Sequence, residues 1–144
     1  MILKSSDCFE VLRVINKMEA KKDIIDTIIK ITNASKKLDV VQGKLINSAK
    51  TEEKTHKEIC EENPKLVIEI DNLEGKIQGL GMEIVFTIIE NIPKAEQEVY
   101  KVLAKMHETT VKEVKEWEAD KLITSIKDII GNESFKRFFT SIMK

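Results

Sequence analysis

Apolar residues in this chain recur at three- and four-residue steps almost from end to end, the spacing of helix faces rather than of strands. Cys8, Val11, Leu12, Ile15 and Met18 form the first such face. Asp7 followed by Glu10 has the spacing of a capping box and predicts its start. The charged run from Lys17 to Lys22 predicts a turn. Ile24, Ile25, Ile28 and Ile29 then mark a second helix, since Asp26 and Lys30 fall at helical spacing among β-branched residues. Asn33 and Ser35 predict a turn or a new cap. Leu38, Val41 and Leu45 follow, with Gly43 as a weak point.

From Asn47 to Glu62 the chain is mostly charged, and only Ala49, Ile59 and Cys60 are suited to a core. This stretch reads either as an exposed helix laced with Glu and Lys pairs or as a linker. Asn63-Pro64 is a strong start signal, because Asn caps and Pro suits the first helical position. Leu66, Ile70, Leu73, Ile77, Leu80 and Ile84 then alternate four- and three-residue steps. That is a heptad seam, either one face of a core helix or a coiled-coil contact between chains. Gly75, Gly79 and Gly81 interrupt it, each costing roughly 1 kcal/mol relative to alanine in a helix interior. They predict a break near Gly79–Gly81.

Beyond the glycines, Ile84, Val85, Ile88 and Ile89 predict a helix that Pro93 stops at Ile92. Ala95, Val99, Val102, Leu103 and Met106 form the next apolar face. Thr110 with Glu113 predicts a capped short helix through Val114 and Trp117. Leu122, Ile123, Ile126, Ile129 and Ile130 define another, with Gly131 expected in a left-handed cap and Asn132 starting the last helix. In that helix Phe135, Phe138, Phe139, Ile142 and Met143 fall on one face. The pattern predicts an all-α fold of about six to eight helices in a single domain over residues 1–144.

Composition narrows the class. The 144 residues are 42% apolar and 34% charged, too apolar for disorder and too charged for a membrane protein. The longest apolar runs fall far short of the ~20 residues of a membrane helix. The N-terminal MILKSSD lacks the apolar core of a signal peptide. Net charge is −1, from 24 basic and 25 acidic residues mixed along the chain, so no basic stripe calls for nucleic acid. Only Arg13 and Arg137 are arginine, the residue best suited to reading guanine edges. Cys8 and Cys60, the only cysteines, are neither a disulfide framework nor a zinc set, and a reduced, cytosolic state is expected.

Candidate chemistry is thin. Glu53 and His56 have the Glu-x-x-His spacing of a metal-ligating helix, but di-iron sites need a second such motif, and Ala104 stands three residues before His107. His56 and Cys60 share a face at i, i+4, and two ligands do not make a zinc site. A Cys60 nucleophile beside His56 lacks an identifiable third group. Gly79-Leu-Gly81 has no strand before it and is no phosphate loop. Trp117 and Tyr100 read as core or core-edge aromatics. The expectation is a non-enzymatic protein with no cofactor and no metal. The residues left to bind a partner are Phe135, Phe138, Phe139, Ile142 and Met143 on the last helix, and Leu73, Ile77 and Leu80 on the seam. The phenylalanine face either closes the core or meets a partner helix in a groove.

Several segments in this order resemble the tail assembly chaperones of long-tailed bacteriophages, in the branch common in phages and prophages of low-GC Gram-positive bacteria. They are Lys4–Asp7 (KSSD) with Phe9–Met18 (FEVLRVINKM), Gly81–Pro93 (GMEIVFTIIENIP), Ala95–Ala104 (AEQEVYKVLA), Val111–Val114 (VKEV), Leu122–Ile130, and Phe135–Phe139 (FKRFF). The match covers residues 1–30 and 80–143; residues 30–78 read as an insertion or an extended helical segment. The resemblance implies a non-enzymatic protein of the bacterial cytoplasm that coats the tape measure protein until tail tube protein polymerises around it. It implies self-association, absence from the mature virion, and a short form that a frameshift can extend. The competing reading is a helical adaptor or dimerisation module with no phage role.

Overall fold

The computed structural model describes residues 3–48 and 55–143, with side chains through Ser141. It is all-α. Its helices are α1 (Ser5–Lys17), α2 (Lys21–Asn47), α3 (His56–Glu62), α4 (Pro64–Asn91), α5 (Glu96–Met106), α6 (Val111–Lys115), α7 (Ala119–Ile130) and α8 (Glu133–Met143), with a 3₁₀ turn at Ile92–Lys94. No strand occurs among the described residues. The chain divides into two compact units, one of residues 1–24 with 85–144 and the other of residues 25–84. The second unit encloses the 30–78 segment that the resemblance leaves uncovered.

In the first unit, α1 packs on α5 and α5 on α6, while α7 packs on α8. Cys8, Ile15 and Met18 of α1 and Val99, Val102, Leu103 and Ala104 of α5 are buried. Ion pairs set the direction. Lys17, at the C-terminal end of α1, pairs with Glu98 near the start of α5. Lys105, near the end of α5, donates to Glu10 in the middle of α1 at 2.6 Å and lies 3.8 Å from Asp7 in its first turn. The two helices therefore run antiparallel. The Lys17 ammonium, hydrogen-bonded to Glu98, holds that carboxyl below its ordinary range.

Helix ends in this unit follow local chemistry, with two departures from expectation. The start of α1 is not an Asp7–Glu10 box: Asp7 sits at the third helical position and accepts from the Lys4 backbone N–H at 2.9 Å. Glu10 is instead drawn to Lys105. Thr110 caps α6 by accepting from Glu113 N–H, and Asn132 caps α8 by accepting from Ser134 N–H, both as the pattern predicts. Gly131, expected to be left-handed, keeps a right-handed φ of −77°. The left-handed residues are Glu19 (φ 59°) and Glu108 (φ 51°). Each closes a Schellman motif. After α1, Glu19 N–H bonds Asn16 C=O and Ala20 N–H bonds Ile15 C=O; after α5, Glu108 N–H bonds Lys105 C=O and Thr109 N–H bonds Ala104 C=O. The buried Ile15 and Ala20 supply the apolar contact that accompanies the first.

The second unit is built on two long helices. The turn expected at Asn33–Ser35 is absent, and α2 runs unbroken past Gly43 to Asn47. Ala34 between them is 2% exposed, so burial overrides the turn preference of its neighbours. The break expected near Gly79–Gly81 is also absent, and α4 is continuous from Pro64 to Asn91. Its seam passes the glycines without a change of phase. Burying a leucine or isoleucine is worth roughly 1.5–3 kcal/mol, more than the roughly 1 kcal/mol cost of a helical glycine. Asn63 precedes Pro64 as predicted, but its side chain turns back and donates to Ile59 C=O at 2.8 Å and Ser48 Oγ at 3.3 Å.

That last contact ties the end of α2 to the start of α4. On α2 the positions Thr27, Ile31, Ala34, Leu38, Val41 and Leu45 are buried or half-buried, in the same four-three rhythm as the α4 seam.

Candidate interaction surface

The aromatic face of α8 is divided. Phe135 and Phe139 are 6% and 5% exposed, with ring centroids 5.7 Å apart, and they belong to the core of the first unit. Phe138 is half-buried and meets Phe9 of α1 edge-on, with centroids 5.3 Å apart and planes at 89°. The side chains of Ile142 and Met143 lie outside the described residues. On α4, Leu80 is buried while Leu73 and Ile77 are half-buried along the seam. Of the eight residues predicted to face a partner, three are thus covered within the fold itself.

Among the described residues, the exposed large apolar side chains are others. In the first unit they are Phe9, at 51%, and Phe86. In the second they are Ile29, Val40 and Ile46 on α2, and Ile68 and Met82 on α4. At 100° per residue, Ile68, Gly75, Gly79 and Met82 line the side of α4 opposite its seam. A β-carbon added at either glycine would meet nothing within 4 Å, so that side is open. In the sequence this side shows only Ile68 and Met82, with Gly75 and Gly79 between them. The stronger leucine-isoleucine seam on the other side hid it.

Burial first, and the neighbouring Asp7 second, push the Cys8 thiol above its ordinary range, which leaves it a poor nucleophile. His107 caps the end of α5, stands edge-on to Trp117 at 5.0 Å, and has a buried Nε2 without a hydrogen-bond partner. Lys121 lies 4.4 Å from the Trp117 ring centroid on the other element, α7. Tyr100 donates to Glu96, which raises its pKa above the ordinary phenol range. Both aromatics are half-buried, at the core edge. Cys60 Sγ lies 3.6 Å from His56 Nε2 on α3. Glu53, the other half of the Glu-x-x-His spacing, lies outside the described residues. Among the described residues, no three His, Cys, Asp or Glu side chains are grouped to hold a metal ion, and no helix is long and apolar enough to cross a membrane.

No protein-family model, curated protein or solved structure matches the chain.

Proposed function

We propose that this chain is a tail assembly chaperone of a long-tailed bacteriophage or prophage, binding and solubilising the tape measure protein in the bacterial cytoplasm while the tail is built. The observation that carries the reading is the order of elements after the glycine-rich stretch. A helix ends before Ile92-Pro93, and α5 follows; a short Thr110-capped helix comes next, then α7 and the phenylalanine-bearing α8. The resembling segments fall on these elements in the same sequence. The role is non-enzymatic, with tape measure protein as client, tail tube protein as the species that displaces the chaperone, and self-association between copies.

The physical chemistry suits that role. A tape measure exposes long apolar helical stripes that aggregate when naked. Isolated apolar residues such as Ile68 and Met82 on α4 offer shallow contacts, each weak. Many copies along one client turn weak contacts into stable coverage through effective concentration. Weak contacts also let tube protein displace the coat. A near-neutral surface of mixed sign allows copies to lie side by side. With Phe135 and Phe139 in the core, the client surface is assigned to the exposed positions rather than to that pair.

The test is co-expression with the longest open reading frame just downstream, followed by size exclusion. The expected result is an insoluble long protein when expressed alone and a soluble co-eluting complex with this chain. Replacing Ile68 and Met82 together by aspartate should weaken co-elution while helical content stays unchanged. A long protein that is soluble alone and ignores this chain would overturn the reading and leave a helical adaptor.

A further inference from the structure

Phe9 of α1 is 51% exposed, and its ring stands edge-on to Phe138 of α8 with centroids 5.3 Å apart. An aromatic pair shared by two helices and still open to water has apolar surface left to bury. The charges beside it set it apart from the rest of the surface. Arg13 lies one turn beyond Phe9 on the same side of α1, and Arg137 stands next to Phe138; both are exposed. These are the chain's two arginines, and its other basic charges come from lysine. The acidic residues of the two helices are engaged elsewhere: Asp7 and Glu10 with Lys105 of α5, and Glu133 with Lys136. Among the described residues neither arginine has an ion pair.

We propose that Phe9, Phe138, Arg13 and Arg137 form the docking site for an amphipathic partner helix that carries carboxylates beside its apolar stripe. The stripe covers the two rings, and the carboxylates meet the two guanidiniums. Arginine holds a carboxylate through paired N–H···O bonds, a geometry that a lysine ammonium does not reproduce. Protein interfaces enrich aromatic residues and arginine and deplete lysine, so this corner has the composition of an interface. The described residues hold no strand to extend, so a helix rather than an added β-strand fits the surface. Two cations are few for an anionic membrane, which takes clusters of about four to eight. The mixed signs elsewhere give no track for a nucleic-acid backbone. The inference deepens the chaperone reading and rests on it only for the natural occupant: the client helix must present acidic flanks as well as an apolar stripe. Ile68 and Met82 lie on α4, so co-elution with the long downstream protein tests the chaperone reading separately from this site.

The probe is a labelled synthetic helical peptide with leucine at heptad a and d and glutamate at e and g, beside a twin with lysine in place of glutamate. Fluorescence anisotropy with the full chain should show saturable binding of the glutamate peptide, about tenfold tighter than its lysine twin. Arg13→Glu combined with Arg137→Glu should reverse that preference, which a loss of fold cannot do. Phe9→Ala should weaken the glutamate peptide by about tenfold with circular dichroism unchanged. The proposal is overturned by absence of saturable binding, by equal affinity for the two peptides, or by a preference that survives the charge reversal. Binding of phosphatidylserine vesicles or single-stranded DNA through the same four residues, in place of the peptide, overturns it as well.

Discussion

The two units solve the problem of burying helices differently. In residues 1–24 and 85–144, α5 packs on α1, on α6 and on the 3₁₀ turn, and Met18, Leu103 and Val114 are the largest fully buried side chains among the described residues. In residues 25–84, two long helices and one short one carry the apolar surface, and Leu66, Ile70, Leu73 and Ile77 on α4 stay only half-buried. A helix with neighbours on several sides can bury a broad face, whereas a helix with few neighbours buries a narrow seam and leaves the rest to water. A leucine or isoleucine at these half-buried seam positions is therefore worth less than a fully buried one in the first unit.

The sharpest way to break that comparison is truncation at matched positions. Leu103→Ala should destabilise the protein by about 3–5 kcal/mol, while Ile77→Ala should cost about 1–2 kcal/mol because part of its surface is already wet. Urea denaturation followed by circular dichroism would measure both. Equal losses would show that the α4 seam is as enclosed as the core of the first unit.

Glycine replacement gives the next largest effect, and it has the opposite sign. Gly75→Ala and Gly79→Ala put a methyl group into open space on an unbroken helix, so each should stabilise by about 0.5–1 kcal/mol. A rise in melting temperature for both checks this. A fall would mean that another backbone approaches this side of α4, as it would in an associated form of the protein.

The smallest expected change lies back in the first unit, at a helix end. Glu108 holds a left-handed conformation that only glycine adopts without strain, so Glu108→Gly should stabilise by up to about 1 kcal/mol. The residue is exposed, which keeps side-chain loss out of the comparison. Glu19→Gly tests the same point at the first Schellman motif, though there the pairing with Lys94 is lost as well. A destabilised Glu108→Gly protein would show that the carboxylate contributes more than the backbone strain it imposes.

Much of the fold was legible because its signals are local. Pro64 and Pro93 mark helix boundaries through their missing N–H and fixed φ, and Thr110 and Asn132 cap the helices that follow them. The buried positions Ile84, Val85 and Ile88, and Val99, Val102 and Leu103, follow from apolar spacing alone. The interaction surface was far less legible. Periodicity says that Phe135, Phe138 and Phe139 share a face, and it is silent on what covers that face.

The sequence by itself determined the helical class, most helix starts and the α4 seam, since these depend on residues within a turn or two of one another. Only the tertiary structure decided that α2 passes through Asn33 and Ser35, that α4 survives its glycines, and that Glu19 and Glu108 rather than Gly131 turn left-handed. It also decided that Phe135 and Phe139 go inside while Phe9, Ile68 and Met82 stay out. Each of those outcomes sets a local preference of about 1 kcal/mol against burial terms of similar or larger size, and burial depends on partners far away in the chain.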